Sequence, residues 1–271
     1  ETSKYITVST SIGNMTRVAT DEKGGQTFEE GDEISVYAWT GDATVAPETR
    51  ERVVNNAINK LTNGSWVSTP QMLWKNNRDK HYFIGVYPTA AISDLSAGEY
   101  TFDETKQVES DLLVAVNKDG LSYNVDEQQP VPLTFTHVMA KLVVNLTYKN
   151  QWGGIPTVEK VVVGNVAKEA TINYLTKVVT PSTTAKEDFS LPEITENTKY
   201  VSVIIPQEEV KQLTIVIGGK NFVYDNGTPF KLESGKITTV NLEVGRDEIK
   251  LGDVKITDWE NGSTFSGEAL N

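Results

Sequence analysis

The stretch Pro132 to Tyr148, PLTFTHVMAKLVVNLTY, is the strongest constraint on what this chain can fold into. From Val138 onward the even positions, Val138, Ala140, Leu142, Val144, Leu146 and Tyr148, are apolar or nearly so. The odd positions include Lys141, Asn145 and Thr147, with Met139 and Val143 as exceptions. Such a period of two means a strand with one face on a core and the other mostly wet. Upstream the phase is opposite, with Leu133 and Phe135 apolar and Thr134 and Thr136 polar. Side chains alternate strictly along a strand, so the flip near Thr136–His137 demands a bulge, a bend or two strands in series. The segment lies mid-chain and reads as the last long strand of a first domain. That gives domains over 1–149 and 150–271, with the turn-rich Lys149 to Thr157, KNQWGGIPT, as linker.

Short strands separated by turn signals recur on both sides of it. Lys4 to Ile12 alternates, with Ile6, Val8 and Ile12 on one face. Glu33 to Thr40 is apolar on both faces, as a central sandwich strand is. Tyr82 to Pro88 and Asp111 to Val116 follow. In the second half come Val158 to Val166, Ala170 to Val179, Tyr200 to Ile205, a hairpin Leu213 to Tyr224 turning at Gly218-Gly219, Ile237 to Val244 and Val254 to Trp259. Thr180 to Asn197 reads as a polar loop, and Asp225-Asn226-Gly227 as a further turn. Pro47 to Leu61 is ambiguous. Val53, Val54, Ala57, Ile58 and Leu61 have helical spacing, yet Asn63-Gly64 is a strong hairpin signal linking Leu61 to Trp66. The texture is all-β, of β-sandwich type.

Composition narrows function mainly by exclusion. The 271 residues carry 25 basic and 37 acidic side chains, a net charge of −12. No basic footprint exists to neutralise phosphates, so nucleic acid is not expected as a partner. Cysteine is absent, which removes disulfides, thiolate chemistry and cysteine metal sites. No run approaches the roughly 18 apolar residues needed to span a membrane. The start ETSKYITVST carries no signal peptide and reads as a processed terminus.

Little in the sequence points to catalysis. Of the two histidines, His137 sits at the phase flip and reads as a core residue with a satisfied ring, while His81 flanks a strand with no evident partner. No metalloprotease, phosphate-loop, nucleophile-elbow or calcium-loop motif occurs. The acidic pairs Glu29/Glu30, Glu208/Glu209 and Asp247/Glu248 are what any acidic surface offers. No enzyme, cofactor or metal site is therefore expected. Trp39, Trp66 and Trp74, with Tyr82 and Tyr87, cluster in the first half. They read as core, with sugar stacking at a sheet surface as the alternative.

The ordered motifs resemble the fimbrillin family, the subunits of type V pili of Bacteroidales-type bacteria. They are Thr16-Arg17-Val18-Ala19-Thr20, Phe28-Glu29-Glu30-Gly31-Asp32, Ile34 to Ala38, Trp74, Tyr82 to Pro88, Asp111 to Ala115, Val131 to His137 with Ala140-Lys141-Leu142, Ser234-Gly235-Lys236 and Ile256-Thr257-Asp258-Trp259. The resemblance implies two transthyretin-like β-sandwich domains in tandem and an extended Pro47 to Leu61. It further implies a cell-surface, outer-membrane fimbrial protein, tied to the membrane only by a lipid anchor on its precursor. Its partners would be other fimbrial subunits, in a homo- or hetero-polymer, and a host or bacterial surface ligand.

The implied assembly is strand exchange. An arginine-specific protease cuts between Arg17 and Val18, the strand bearing Ile6, Val8 and Ile12 leaves, and another subunit's strand takes its place. A C-terminal donor would draw on Val254, Ile256, Trp259 and Phe265. The short polar tail after Trp259 departs from a stalk subunit and leaves a tip or accessory adhesin open. The competing function is a surface glycan-binding lipoprotein that uses Trp39, Trp66 and Trp74.

Overall fold

The computed structural model describes residues 4–13, 27–124 and 126–259, with the side chains of 226–228 set aside. Seven strands form one sheet, in the order Val8–Ile12, Val131–His137, Leu113–Leu121, His81–Tyr87, Glu33–Thr40, Val54–Thr62, Ser65–Thr69. Every neighbouring pair in it is antiparallel except the first, where Val8–Ile12 runs parallel to Val131–His137. A five-stranded sheet has the order Glu193–Thr195, Lys199–Ile204, Ala140–Tyr148, Lys236–Val244, Ile249–Asp258. Its inner face shares a core with a four-stranded sheet of Lys186–Ser190, Val158–Ala167, Gln207–Ile217 and Lys220–Leu232.

The seven-stranded sheet is buried on both faces. Ile34, Val36, Phe83, Leu133 and Phe135 fill one core. From the opposite face Tyr37, Trp39, Ile84 and Val86 join a second core that continues into the sandwich of the chain's second half. That explains why Glu33–Thr40 shows no alternation. Strand Gly98–Thr101 pairs with Glu169–Asn173, binding the first half to the second through a three-stranded sheet completed by Val178–Pro181. Single hydrogen bonds reinforce the tie: the Phe102 amide donates to the Lys168 carbonyl at 2.9 Å and the Tyr174 amide to the Leu95 carbonyl at 2.8 Å.

The phase flip in the mid-chain stretch is resolved as two strands in series. Val131–His137 belongs to the seven-stranded sheet and Ala140–Tyr148 to the five-stranded one, with Val138 and Met139 crossing between them. Ala140–Tyr148 thus pairs with Lys199–Ile204 and Lys236–Val244, partners supplied by the second half.

The strand expected over Ala170 to Val179 is two, Glu169–Asn173 and Val178–Pro181, joined by a turn. The ambiguous Pro47 to Leu61 is largely extended, as the resemblance implies, with a single 3-10 turn, Thr49–Glu51, before the strand Val54–Thr62. β-Sheet partners on both sides, Glu33–Thr40 and Ser65–Thr69, override a helical spacing built from poor helix formers. The hairpin turns at Asn63 and Gly64, which have φ of 51° and 77°. At Asp225 to Gly227 there is no strand-ending turn. The strand Lys220–Leu232 continues through a wide bulge, its register stepping from Gln212↔Asp225 to Val210↔Phe230. The polar stretch from Thr180 onward contributes the short strands Lys186–Ser190 and Glu193–Thr195, both at sheet edges.

Candidate functional site

The segment with the clearest functional geometry is the first one. Residues Tyr5–Ile6 pair antiparallel with Met72–Leu73, Tyr5 opposite Leu73 and Ile6 opposite Met72. Five residues of the same segment, Val8–Ile12, then pair parallel with Val131–Phe135. A single extended segment is therefore held on two sides, like the last stave of a barrel. Lys4 carbonyl accepts from the Trp74 amide at 3.2 Å, Thr7 carbonyl accepts from the Val131 amide at 2.8 Å, and the Gly13 amide donates to Phe135 carbonyl at 2.6 Å.

The apolar alternation read from the sequence is what this stave presents inward. Ile6, Val8 and Ile12 are 3%, 6% and 4% exposed and lie in one core with Met72, Leu133 and Phe135. Thr10, on the same face, accepts a hydrogen bond on Oγ1 from the Trp66 indole Nε1 at 3.1 Å. Outside, the Ser11 hydroxyl meets Thr134 Oγ1 at 3.3 Å.

The strand beneath is adapted to this one neighbour. Pairing of Val131–His137 with Leu113–Leu121 spans only Phe135 to His137. Residues Val131 to Thr134 therefore draw their ladder from the N-terminal segment. Pro132, which lacks an amide hydrogen, sits in that one-sided part, where a strand tolerates proline.

The two indoles in this region, read as core with sugar stacking as the alternative, pack against the core beneath the stave. Trp66 is half-buried, edge-on to Phe28 with ring centroids 5.3 Å apart. Trp74 packs edge-on to His81 and Phe83 at 4.9 and 5.9 Å. Trp39, 2% exposed, lies in the other core with its Nε1 donating to Asp42 carbonyl at 2.9 Å. Trp39 therefore belongs to a different core from Trp66 and Trp74.

At the other end, among the described residues, Ile249–Asp258 is the edge strand of the five-stranded sheet, paired only with Lys236–Val244. Val254 and Ile256 lie on its core-side face, opposite Val240 and Thr238, yet are 38% and 40% exposed. Trp259 is buried and stacks on His137, rings 3.9 Å apart and 8° from parallel. Arg17, Val18 and Phe265 lie outside the described residues.

Neither histidine is arranged for catalysis. His137 Nδ1 sits 2.8 Å from Asp111 Oδ1, while its buried Nε2 has no hydrogen-bond partner among the described residues, so the ring is only half satisfied. His81, expected to lack a partner, has two. Its Nε2 accepts from the Lys75 amide at 3.0 Å and Nδ1 faces the Asp79 carbonyl at 3.0 Å. Burial pushes its pKa down, which keeps the ring neutral. Sequence reading missed Asp111, Phe28 and Thr10 as partners, because each contact joins residues remote along the chain.

A family profile described as fimbrillin-like matches residues 16–259. The chain belongs to the fimbrillin-like family. A search of curated proteins finds no match. Among solved structures, a putative cell adhesion protein from Bacteroides uniformis superposes with a TM-score of 0.69 at 19% identity, covering 95% of this chain and 100% of that one. One from Bacteroides ovatus gives 0.67 at 18% identity, with 94% and 98% covered. The tip fimbrial protein Mfa3 from Porphyromonas gingivalis, truncated at its C-terminus, gives 0.54 at 10% identity over 85% and 95%. At these identities the superpositions establish a shared fold. As a fimbrillin-like protein the chain is a structural subunit, not an enzyme, and its place is the cell-surface fimbrium.

Proposed function

We propose that this fimbrillin-like subunit joins its neighbours by strand exchange. Proteolysis between Arg17 and Val18 frees the segment bearing Ile6, Val8 and Ile12, and a strand from another subunit takes the vacated groove. The observation that carries this reading is the stave itself. It is parallel to its neighbour in an otherwise antiparallel sheet, and held by partners on both sides. Burying its three aliphatic side chains contributes roughly 5–9 kcal/mol gross, at about 1.5–3 kcal/mol each. Whole domains are stable by only about 5–15 kcal/mol. Departure of the stave would thus leave an unpaired edge at Val131 to Thr134 and an apolar slot, both of which favour a replacement strand.

In this reading the fibre stands on the bacterial outer membrane, with a lipid anchor on the precursor, and contacts a host or bacterial surface ligand. The chain's own donor, if it supplies one, draws on Val254, Ile256, Trp259 and Phe265. Val254 and Ile256 are the less buried members of an edge strand, which suits that role.

Digestion with an arginine-specific protease, followed by mass spectrometry and native sizing, tests the proposal. Release of residues 1–17 with a ladder of oligomers is the expected result. Resistance at Arg17, or a cut chain that stays a stable monomer, overturns self-assembly triggered by this cut.

A further inference from the structure

The stave contains one polar reading point among its apolar ones, and it is the place where the rolled sheet closes. The seven-stranded sheet ends on one side in Val8–Ile12 and on the other in Ser65–Thr69, and no backbone ladder joins those two edges. What spans them is the Trp66 side chain, whose Nε1 donates to Thr10 Oγ1 at 3.1 Å. Trp66 is held for this by Phe28, edge-on at 5.3 Å, and Phe28 is itself fixed against Phe135 and Tyr87 at 5.0 and 5.4 Å. An indole N–H is a donor only, so the site asks its occupant for an acceptor.

We infer that the groove selects its incoming strand by a four-position pattern, with Trp66 as the specificity-determining residue. This rests on the strand-exchange reading above and says which partner that reading requires. The occupant runs parallel to Val131–Phe135 and carries aliphatic side chains at the places of Ile6, Val8 and Ile12, and a hydroxyl or other acceptor at the place of Thr10. A strand with a methyl group there leaves the indole donor unpaired in a half-buried seam, which costs binding.

The pattern also bears on who donates. In the residues after Ile249, Val254, Ile256 and Asp258 reproduce the first three positions, aliphatic, aliphatic and acceptor. The fourth then falls on Glu260, where the groove holds Ile12 at 4% exposure. A carboxylate placed there without a partner is strongly disfavoured. No other register between Ile249 and Asn271 gives all four. Residues 249–271 of a second copy therefore do not fit the groove, and the occupant proposed is a strand of a different fimbrial subunit.

The test uses the full chain cut after Arg17, both pieces still associated, and fluorescent peptides whose capture is followed by native gel and anisotropy. The peptides span residues 4–13, residues 4–13 with Thr10→Val, and residues 252–261. Capture of the native peptide, about three- to tenfold weaker capture of the valine peptide, and roughly a hundredfold weaker capture of 252–261 are expected. Trp66→Phe should erase the threonine preference while still capturing both 4–13 peptides. In the uncut chain, Thr10→Val and Trp66→Phe should be coupled, with the double variant no less stable than the worse single one.

Equal capture of the threonine and valine peptides overturns Trp66 as reader and leaves strand exchange standing. Equal capture of 252–261 overturns the requirement for a different subunit. If no peptide enters, native sequence included, strand exchange fails and this inference falls with it.

Discussion

Two buried residues show how single positions constrain this fold. Gly85 lies mid-strand in His81–Tyr87, and a Cβ there would stand 2.6 Å from Phe135 Cζ and 3.2 Å from Leu133 Cδ1. The missing side chain makes room for the ring under the stave. Gly85→Ala should cost about 1–3 kcal/mol by overpacking, and Phe135→Leu in that background should recover part of it, both read from urea midpoints. Lys141 is fully buried, with its Nζ 5.2 Å from the Trp259 ring centroid. Burial lowers its pKa from 10.5 to about 8, opposed by the Asp111 charge and assisted by Lys199. Between those two values the unfolded chain binds more protons than the folded one, so stability contributed by this group rises with pH across that window. Relative to Lys141→Met, the native chain should gain on the order of 3 kcal/mol between pH 7 and pH 10.5. A flat difference in denaturation across that range would contradict the buried ammonium. Sequence placed Lys141 on the wet face of its strand; packing against remote elements, Trp259 among them, puts it inside.

Elements were legible where local chemistry decides them. The two-residue turns Asn63-Gly64 and Gly218-Gly219 fix their hairpins, since both central residues take positive φ in each. Val54–Thr62 was ambiguous because Val54, Ala57 and Leu61 suit a helix as well as a strand, and sheet neighbours broke the tie. The apolar side of the first segment was readable from Ile6, Val8 and Ile12, whereas its pairing on two sides was not, because Met72 and Val131 are far away in sequence. This element has its own expected behaviour. Val8→Asp buries a charge in the stave's inner face and should detach it selectively. Hydrogen exchange at the Val131 amide, which donates to Thr7 carbonyl, should accelerate by orders of magnitude. The Leu213 and Ile215 amides, in the distant four-stranded sheet, should keep their protection. Uniform loss of protection would mean that the stave is an inseparable part of one cooperative unit.

At the scale of the whole molecule, the mid-chain stretch matters because it changes sheets. Alternation of Leu133 and Phe135 against Ala140, Leu142 and Val144 announced the change, and its two-strand form required the structure. A division into two sandwich domains remains a proposal, and the shared core joining Tyr37, Ile84 and Val86 to Val161 and Leu213 argues that the halves stand or fall together. The crossing at Val138–Met139 is also where the end of the described chain is fastened. The Ser234 hydroxyl donates to Val138 carbonyl at 2.6 Å, the Gly235 amide to Met139 carbonyl at 2.9 Å, and the Trp259 amide to Gly235 carbonyl at 3.0 Å. With Val254 and Ile256 so exposed, the last strand is held by its backbone ladder, by Ile249 and Leu251 against the core, by the Lys236–Asp258 ion pair and by the Trp259 stack over His137. Trp259→Ala should therefore cost about 3–5 kcal/mol, with amide exchange in Lys236–Val244 and Ile249–Asp258 rising well before that in His81–Tyr87. His137→Ala should reproduce the local loosening, because it removes the other half of the stack. Should Trp259→Ala leave exchange in the last two strands unchanged, the fastening at the crossing contributes nothing to keeping that edge closed.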